Sequence, residues 1–377
     1  MAVVASANSE PLIRNEETMK YRPLGRTGLS VSALSFGCMR LADDPPLNEK
    51  LIMRAIELGV NYFETTRGYL GGTCQHRVAP GLKGRTAGVI ASGKGSLGPD
   101  TTAFSFRKEI ELQLEILGLS HFKFYQVGWF TWKNFPHLIK RGGALEALRR
   151  AQDEGLVHHI GFTGHDLPEN VIKLAETGIF DSFTVPYSMI NRAYEPAIRR
   201  AGELGVGVVA MTPIAGGALS HPSPALREAI GVDLPTPAMA LRFVLSNPDV
   251  STACSGMSTL QMLEENVACA GKFEPRQEDF QQMCAGLDRL LEKLGGKLCT
   301  WCAYCAGCPA KLNIAHLMMI SQYDKAFQLH DWARDALKAL PEANRPERCT
   351  FCGACETKCP NKINIRESIK ELIAAAT

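Results

Sequence analysis

Phe122-Lys-Phe-Tyr-Gln-Val127, then Ala144-Leu-Glu-Ala-Leu-Arg-Arg-Ala-Gln-Asp153, then His158-His-Ile-Gly-Phe162 decide the architecture of this chain. A short apolar run, an amphipathic stretch at helical spacing and a second apolar run read as one strand–helix–strand unit with parallel strands. The same unit recurs outward on both sides. Strands are expected at 31–38, 61–65, 88–92, 182–185, 207–210 and 250–254, with helices such as 48–58, 104–117, 168–177, 194–204 and 236–246 between them. Eight such units predict a closed (β/α)8 barrel, whose strands are covered on both faces and so read as continuously apolar. An open doubly wound sheet is disfavoured by the count and by the lack of a Gly-x-Gly-x-x-Gly turn after the first strand.

The 377 residues, with 45% apolar and 21% charged side chains, belong to an ordinary globular protein of about two domains. Forty-one basic against thirty-nine acidic residues leave a net charge of +2, which gives no electrostatic reason to bind nucleic acid or an anionic membrane. No run of about 18 apolar residues occurs and the N-terminus lacks a basic–apolar leader pattern, so neither export nor membrane insertion is expected. Residues 1–19 read as a disordered arm, 20–290 as the barrel and 291–377 as a separate dicluster domain.

Thirteen cysteines are the anomaly, and eight of them lie between Cys299 and Cys359. They form two runs, Cys299-x2-Cys302-x2-Cys305-x2-Cys308-Pro309 and Cys349-x2-Cys352-x2-Cys355-x3-Cys359-Pro360. Zinc sites commonly use separated pairs, whereas three thiolates at successive two-residue gaps wrap three corners of an iron–sulfur cube. In the bacterial ferredoxin arrangement the fourth cysteine, before proline, ligates the other cluster. Cys299, Cys302, Cys305 and Cys359 are thus assigned to one [4Fe-4S] site, and Cys349, Cys352, Cys355 and Cys308 to a second. Ile314, Leu317 and Met318, then Trp332, Ala333 and Leu337, predict two helices over the clusters. Such thiolate sites favour a reducing compartment, hence a cytoplasmic protein.

In a barrel of this kind chemistry gathers at the C-terminal strand ends, here Arg40, Glu64, Tyr69, Lys94, residues 128–130, 163–165, Tyr187, Thr212 and 255–258. Leu24-Gly-Arg-Thr-Gly-Leu29, Asn61-Tyr-Phe-Glu64, Tyr69 and Ser255-Gly-Met-Ser258 with Glu265-Asn266, together with the cysteine runs, resemble the iron–sulfur branch of the aldo/keto reductases over roughly residues 20 to 365. The resemblance implies a barrel with a ferredoxin-like C-terminal part and nicotinamide-dependent carbonyl chemistry. It implies that Tyr69 protonates the carbonyl oxygen, that the Lys94 ammonium stabilises the phenolate, and that Glu64, where the family has aspartate, holds Lys94. The longer Glu64 is expected to shift or loosen that pairing. Glycine at 128 stands where the family has its substrate-orienting histidine.

The resemblance further implies that Thr163-Gly164 replaces the amide-binding serine–asparagine pair, Thr184 a glutamine and Met211 the ring-stacking tyrosine. Gly256, Met257 and Ser258 are expected to open the last barrel helix and offer backbone N–H groups to a pyrophosphate, with Glu265 and Asn266 near the adenine. The positions that often hold the 2′-phosphate are Gly256 and Met262, so NAD is as suitable as NADP.

Outside this set, Cys74 at a helix start and His76 are candidates for a nucleophile or acid–base group, and His165 could reach the barrel mouth. His158-His159 begins a strand at the opposite end and reads as structural. Two functions of different class follow. One is an iron–sulfur oxidoreductase exchanging two electrons with a small carbonyl-type substrate and passing them to or from a redox partner. The other is a catalytically altered barrel serving as an electron-transfer or scaffolding subunit.

Overall fold

A computed structural model describes residues 15, 17–271, 273–293, 299 and 304–376. The chain divides into two compact units, one of residues 1–213 with 244–275 and one of 214–243 with 276–377.

The first unit contains a closed barrel of parallel strands β3 Leu34–Gly37, β4 Tyr62–Glu64, β5 Ile90–Ser96, β6 Phe122–Phe130, β7 Val157–Gly164, β8 Ser182–Pro186, β9 Gly207–Met211 and β10 Thr252–Ser255, with β10 pairing back to β3. The strand at 31–38 expected from sequence is divided. Its first part, β2 Ser30–Ser32, leaves the barrel to pair antiparallel with β1 Tyr21–Pro23. The break is stabilised by Asn61, whose side chain accepts from the Ser32 N–H at 2.8 Å and donates to the Ser30 carbonyl at 3.0 Å. Leu24 and Val31 of this hairpin region pack with Tyr62, Ile90, Phe124 and Val209, a buried apolar layer at the start of the strands. Burying such side chains contributes roughly 1.5–3 kcal/mol each.

The helices follow the expected pattern closely, with Ala144–Asp153 as anticipated and Ala103–Leu117 gaining a Thr102–Ser105 capping box. Helix Cys74–Leu82 follows the loop bearing Tyr69, and Leu260–Gly271 follows β10.

The second unit has helices Ile314–Lys325 and His330–Lys338, as the apolar spacing predicts, and Ile365–Ala376. Ile314, Leu317, Met318, Ala333, Leu337, Ile365 and Ile369 are buried together, and Cys299, Cys305, Cys308, Cys349, Cys355 and Cys359 pack against that core. No described helix is long and apolar enough to cross a membrane.

Candidate functional site

Above the apolar layer the barrel interior turns polar. Strand alternation puts Tyr62 and Glu64 of β4 on one face, and Ser92 with Lys94 of β5 likewise. Cα register pairs Glu64 with Ser92, Lys94 with Gln126 and Thr163 with Thr184, so a belt of polar side chains rings the interior. Gly161 is what lets it close: a Cβ there would lie 2.8 Å from Ser182 Oγ and 3.4 Å from Gln126 Cγ.

Lys94 Nζ lies 2.7 Å from Glu64 Oε1 and donates to Tyr69 OH at 3.0 Å. The Lys94 and Glu64 side chains are only 3% and 4% exposed, while Tyr69, on the loop after β4, is half-buried. The expected loosening of the Glu64–Lys94 pair does not occur. The second oxygen, Oε2, is held by the Tyr62 hydroxyl at 2.9 Å and Gln126 Nε2 at 2.9 Å, which fixes the longer side chain from behind. Gln126 Oε1 accepts in turn from Thr163 at 2.9 Å and Thr184 at 3.0 Å. Lys94 lies within β5, one strand turn earlier than the sequence suggests, because the strand extends to Ser96.

The charges follow from this geometry. Burial works against the Lys94 ammonium, but Glu64 and then Tyr69 offset it, so Lys94 is held above its ordinary value and stays charged. Burial raises the Tyr69 phenol and Lys94 pulls it part of the way back, leaving it protonated at neutral pH. The triad therefore pairs a held proton with a fixed positive charge.

Gly128 lies on β6 with its missing side chain toward Lys94: a Cβ would stand 3.6 Å from Lys94 Cβ, an ordinary contact. Packing does not demand glycine there, and Lys94 is buried without a side chain at 128. The next residue, Trp129, takes φ +47°, a left-handed conformation unusual for an aromatic residue, and is half exposed. Its indole meets Tyr69 edge-on at 6.2 Å and stacks on His165 at 5.9 Å. Sequence reading left residue 129 inside a strand-end segment with no stated role; only the backbone turn shows it beside the phenol. Burial lowers the His165 imidazole, and Lys94 adds to the effect, so this ring is neutral at pH 7.

The other candidates divide. Cys74 does begin a helix, but it is buried and its thiol is pushed up to about 11, so burial overrides any help from the helix end. His76 is on the exposed face of that helix. His158 stacks on His121 and His159 on Phe124, consistent with a structural place. Gly256, Met257 and Ser258 precede the last barrel helix rather than opening it, since the helix begins at Leu260 and Thr259 Oγ1 accepts from the Met262 N–H. A Cβ on Gly256 would meet Arg40 Cγ at 2.7 Å, so glycine lets the Arg40 side chain lie across this loop. Asn266 reaches back to Ser255 Oγ at 3.3 Å, and Glu265 accepts from Gln261 on the outer face of the helix. The donor chemistry of this loop, a glycine backbone at 256 with the stem of Arg40 over it, suits a dinucleotide's phosphate end. The carboxamide end fits less well, because the Thr163 and Thr184 hydroxyls are committed to Gln126 and Gly164 has no side chain.

In the second unit a cavity is lined by Cys308, Cys349, Cys352 and Cys355, the four cysteines assigned to one cluster, with Cys305 at its edge and Lys358 and Arg366 on its wall. Backbone N–H groups surround it: that of Phe351 donates to Cys349 Sγ at 3.4 Å, and that of Ala354, aided by the Thr350 side chain, lowers the Cys352 thiol. Those donors favour thiolate at Cys352, while burial raises the Cys355 thiol, and four cysteines lining one cavity are the donor set that a [4Fe-4S] cluster takes. Of the other set, Cys299, Cys305 and Cys359 pack on the shared core, and Cys302 lies outside the described residues, as does most of the expected N-terminal arm.

Residues 33–287 match the model of the aldo/keto reductase family. The chain belongs to that family. Residues 296–363 match a 4Fe-4S dicluster domain, so this aldo/keto reductase carries an iron–sulfur domain at its C-terminal end. Its barrel resembles L-galactose dehydrogenase of Arabidopsis thaliana, 27% identical over 316 residues that cover 75% of this chain and 97% of that protein. It also resembles the NADH-specific methylglyoxal reductase of Escherichia coli, 24% identical, covering 66% of this chain and 93% of that protein. Among solved structures, the holo form of aldo-keto reductase AKR11C1 from Bacillus halodurans superposes with a TM-score of 0.63 at 26% identity, over 70% of this chain and 95% of that one. This aldo/keto reductase is an oxidoreductase with a (β/α)8 barrel.

Proposed function

We propose that this aldo/keto reductase carries out two-electron reduction or oxidation of a small carbonyl-type substrate, coupled to two [4Fe-4S] clusters. Residues 20–290 form its catalytic part and 291–377 its electron-carrying part, in the reducing cytoplasm. The observation that carries this reading is the contiguous Glu64–Lys94–Tyr69 chain, at 2.7 and 3.0 Å, ending in a half-buried phenol.

Tyr69 holds a proton at its hydroxyl and gives it to the substrate oxygen, or recovers it in the reverse direction. Lys94 stabilises the phenolate left behind, and Glu64, pinned by Tyr62 and Gln126, keeps the ammonium beside it. Trp129 and His165 wall the approach to the phenol and exclude water from one side of it. NAD or NADP, when bound, supplies or accepts the hydride; Gly256, Met257 and Ser258 with Arg40 would hold its phosphates, and Glu265 and Asn266 its adenine end. Cys299, Cys302, Cys305 and Cys359 would hold one cluster, and Cys308, Cys349, Cys352 and Cys355 the other.

The inward commitment of Thr163 and Thr184 favours a second reading, a barrel adapted to transfer electrons or to scaffold an assembly. Anaerobically reconstituted protein titrated with NADH and NADPH separates the two. Binding, with bleaching of the cluster absorption or reduction of an aldehyde, supports the enzyme; failure of both nucleotides to bind supports the scaffold.

A further inference from the structure

The whole chain carries a net charge of only +2, yet residues 345–366 hold five cations, Arg345, Arg348, Lys358, Lys362 and Arg366, against Glu347 and Glu356. All five cations are exposed. Glu356 is paired with Arg366 at 2.8 Å and Lys358 donates to the Ala306 carbonyl at 3.3 Å, while the flanking Glu367 is paired with Lys370, so the segment's excess positive charge rests on Arg345, Arg348 and Lys362. Within the same segment Cys352 is exposed, unlike the other described cysteines of the two runs, and Phe351 beside it is 36% exposed at φ +54°. An apolar ring and an exposed cysteine, with Lys358 and Arg366 lining the same cavity as Cys352 and three further exposed cations within 13 residues along the chain, have the anatomy of a transient recognition patch.

We propose that this face, centred on Phe351 and Cys352, is the docking surface for a small acidic protein that carries a one-electron centre. The inference rests on the dicluster reading above and adds the partner's chemistry to it. Charge complementarity selects the occupant, because a basic rim attracts an acidic carrier and repels a second copy of itself. The contact would serve transfer of one electron between the carrier and the cluster that Cys308, Cys349, Cys352 and Cys355 would hold, one being oxidised as the other is reduced, with no bond made or broken. Exposure of Cys352 puts the electron's exit or entry here.

The test uses the full-length, cluster-loaded chain and two acidic probes, a bacterial flavodoxin and a plant-type [2Fe-2S] ferredoxin, with association followed by biolayer interferometry in a salt series. The expected result is binding that weakens steeply with salt, and an on-rate falling about tenfold or more in Arg348→Glu/Lys362→Glu. Arg348→Lys/Lys362→Arg should restore it. Iron content of the reversed variant should match the parent, which separates loss of docking from loss of the cluster. Binding of neither probe, binding indifferent to salt and to both reversals, equal binding of duplex DNA, or self-association that survives the reversals would each overturn the proposal. A parent chain that takes up no iron would instead overturn the dicluster reading on which it stands.

Discussion

The barrel mouth and the cysteine unit solve opposite problems with charged or ionisable groups. In the barrel, Lys94 and Glu64 are nearly dry, each other's partner, and braced by neutral hydrogen-bonding groups. In the cysteine unit the described cysteines of the two runs are half-exposed or exposed, and all of them but Cys352 pack against a core of eleven buried side chains. The comparison teaches where each site's energy comes from. The barrel site is preorganised by folding itself, whereas the thiolate site draws much of its order from the metal it takes up.

Breaking the first site should therefore hurt chemistry most. Tyr69→Phe removes the proton but none of the packing, and turnover should fall about 10²- to 10⁴-fold with unfolding stability almost unchanged, read by steady-state rates and denaturant titration. Glu64→Gln leaves the Lys94 ammonium buried without its counter-charge and should cost about 3–5 kcal/mol in urea unfolding of the barrel, with activity falling as well. Breaking the second site should leave the barrel standing: Cys352→Ala should halve the bound iron and the cluster absorption, while far-UV circular dichroism of the barrel and its nucleotide binding persist. An iron content that stays constant would contradict the assignment of Cys352 as a cluster ligand.

A subtler change sharpens the contrast. Gln126→Leu strips Glu64 of one brace and orphans the Thr163 hydroxyl, leaving Thr184 only its 3.4 Å contact with Glu64, for about 1–3 kcal/mol of stability and a smaller loss of rate than Tyr69→Phe. The least disruptive test is pH alone. Because burial raises the phenol more than Lys94 lowers it, the rate of reduction should stay level through neutrality and decline only as pH climbs past the ordinary tyrosine value of about 10. Oxidation, which needs the deprotonated oxygen, should rise over the same interval. A decline near pH 7 would place the working proton elsewhere.

Much of this was legible in the sequence because parallel strands buried on both faces announce themselves as apolar runs, and because the cysteine spacing reports cluster geometry directly. Strand order places Tyr69 and Lys94 among the strand-end candidates, and the family resemblance singles them out. What the residue pattern concealed was three-dimensional closure. Nothing in Tyr125-Gln-Val-Gly128 says that Gln126 points inward to meet a carboxylate 62 residues away, or that Trp129 turns through a left-handed backbone to lie beside Tyr69. Residues 31–38 read as one strand because Val31, Ala33, Leu34, Phe36 and Cys38 give one continuous stretch of apolar side chains; only Asn61, pairing with the backbone there, reveals the break. Helix Cys74–Leu82, with Pro80 and Gly81 inside it, violates helix propensity and is carried by the buried side of Cys74, Val78 and Leu82.

The amide of Gln126 has one consequence beyond bracing. Its nitrogen gives to Glu64 and Ser92 and its oxygen receives from two threonines, so the neighbours fix its orientation. An amide neither releases nor takes up a proton in this range, so it acts as an insulator under the triad. Under the proposed mechanism, Gln126 closes one inner route to Glu64, and the proton that recharges the phenol would come from the solvent side rather than through this amide.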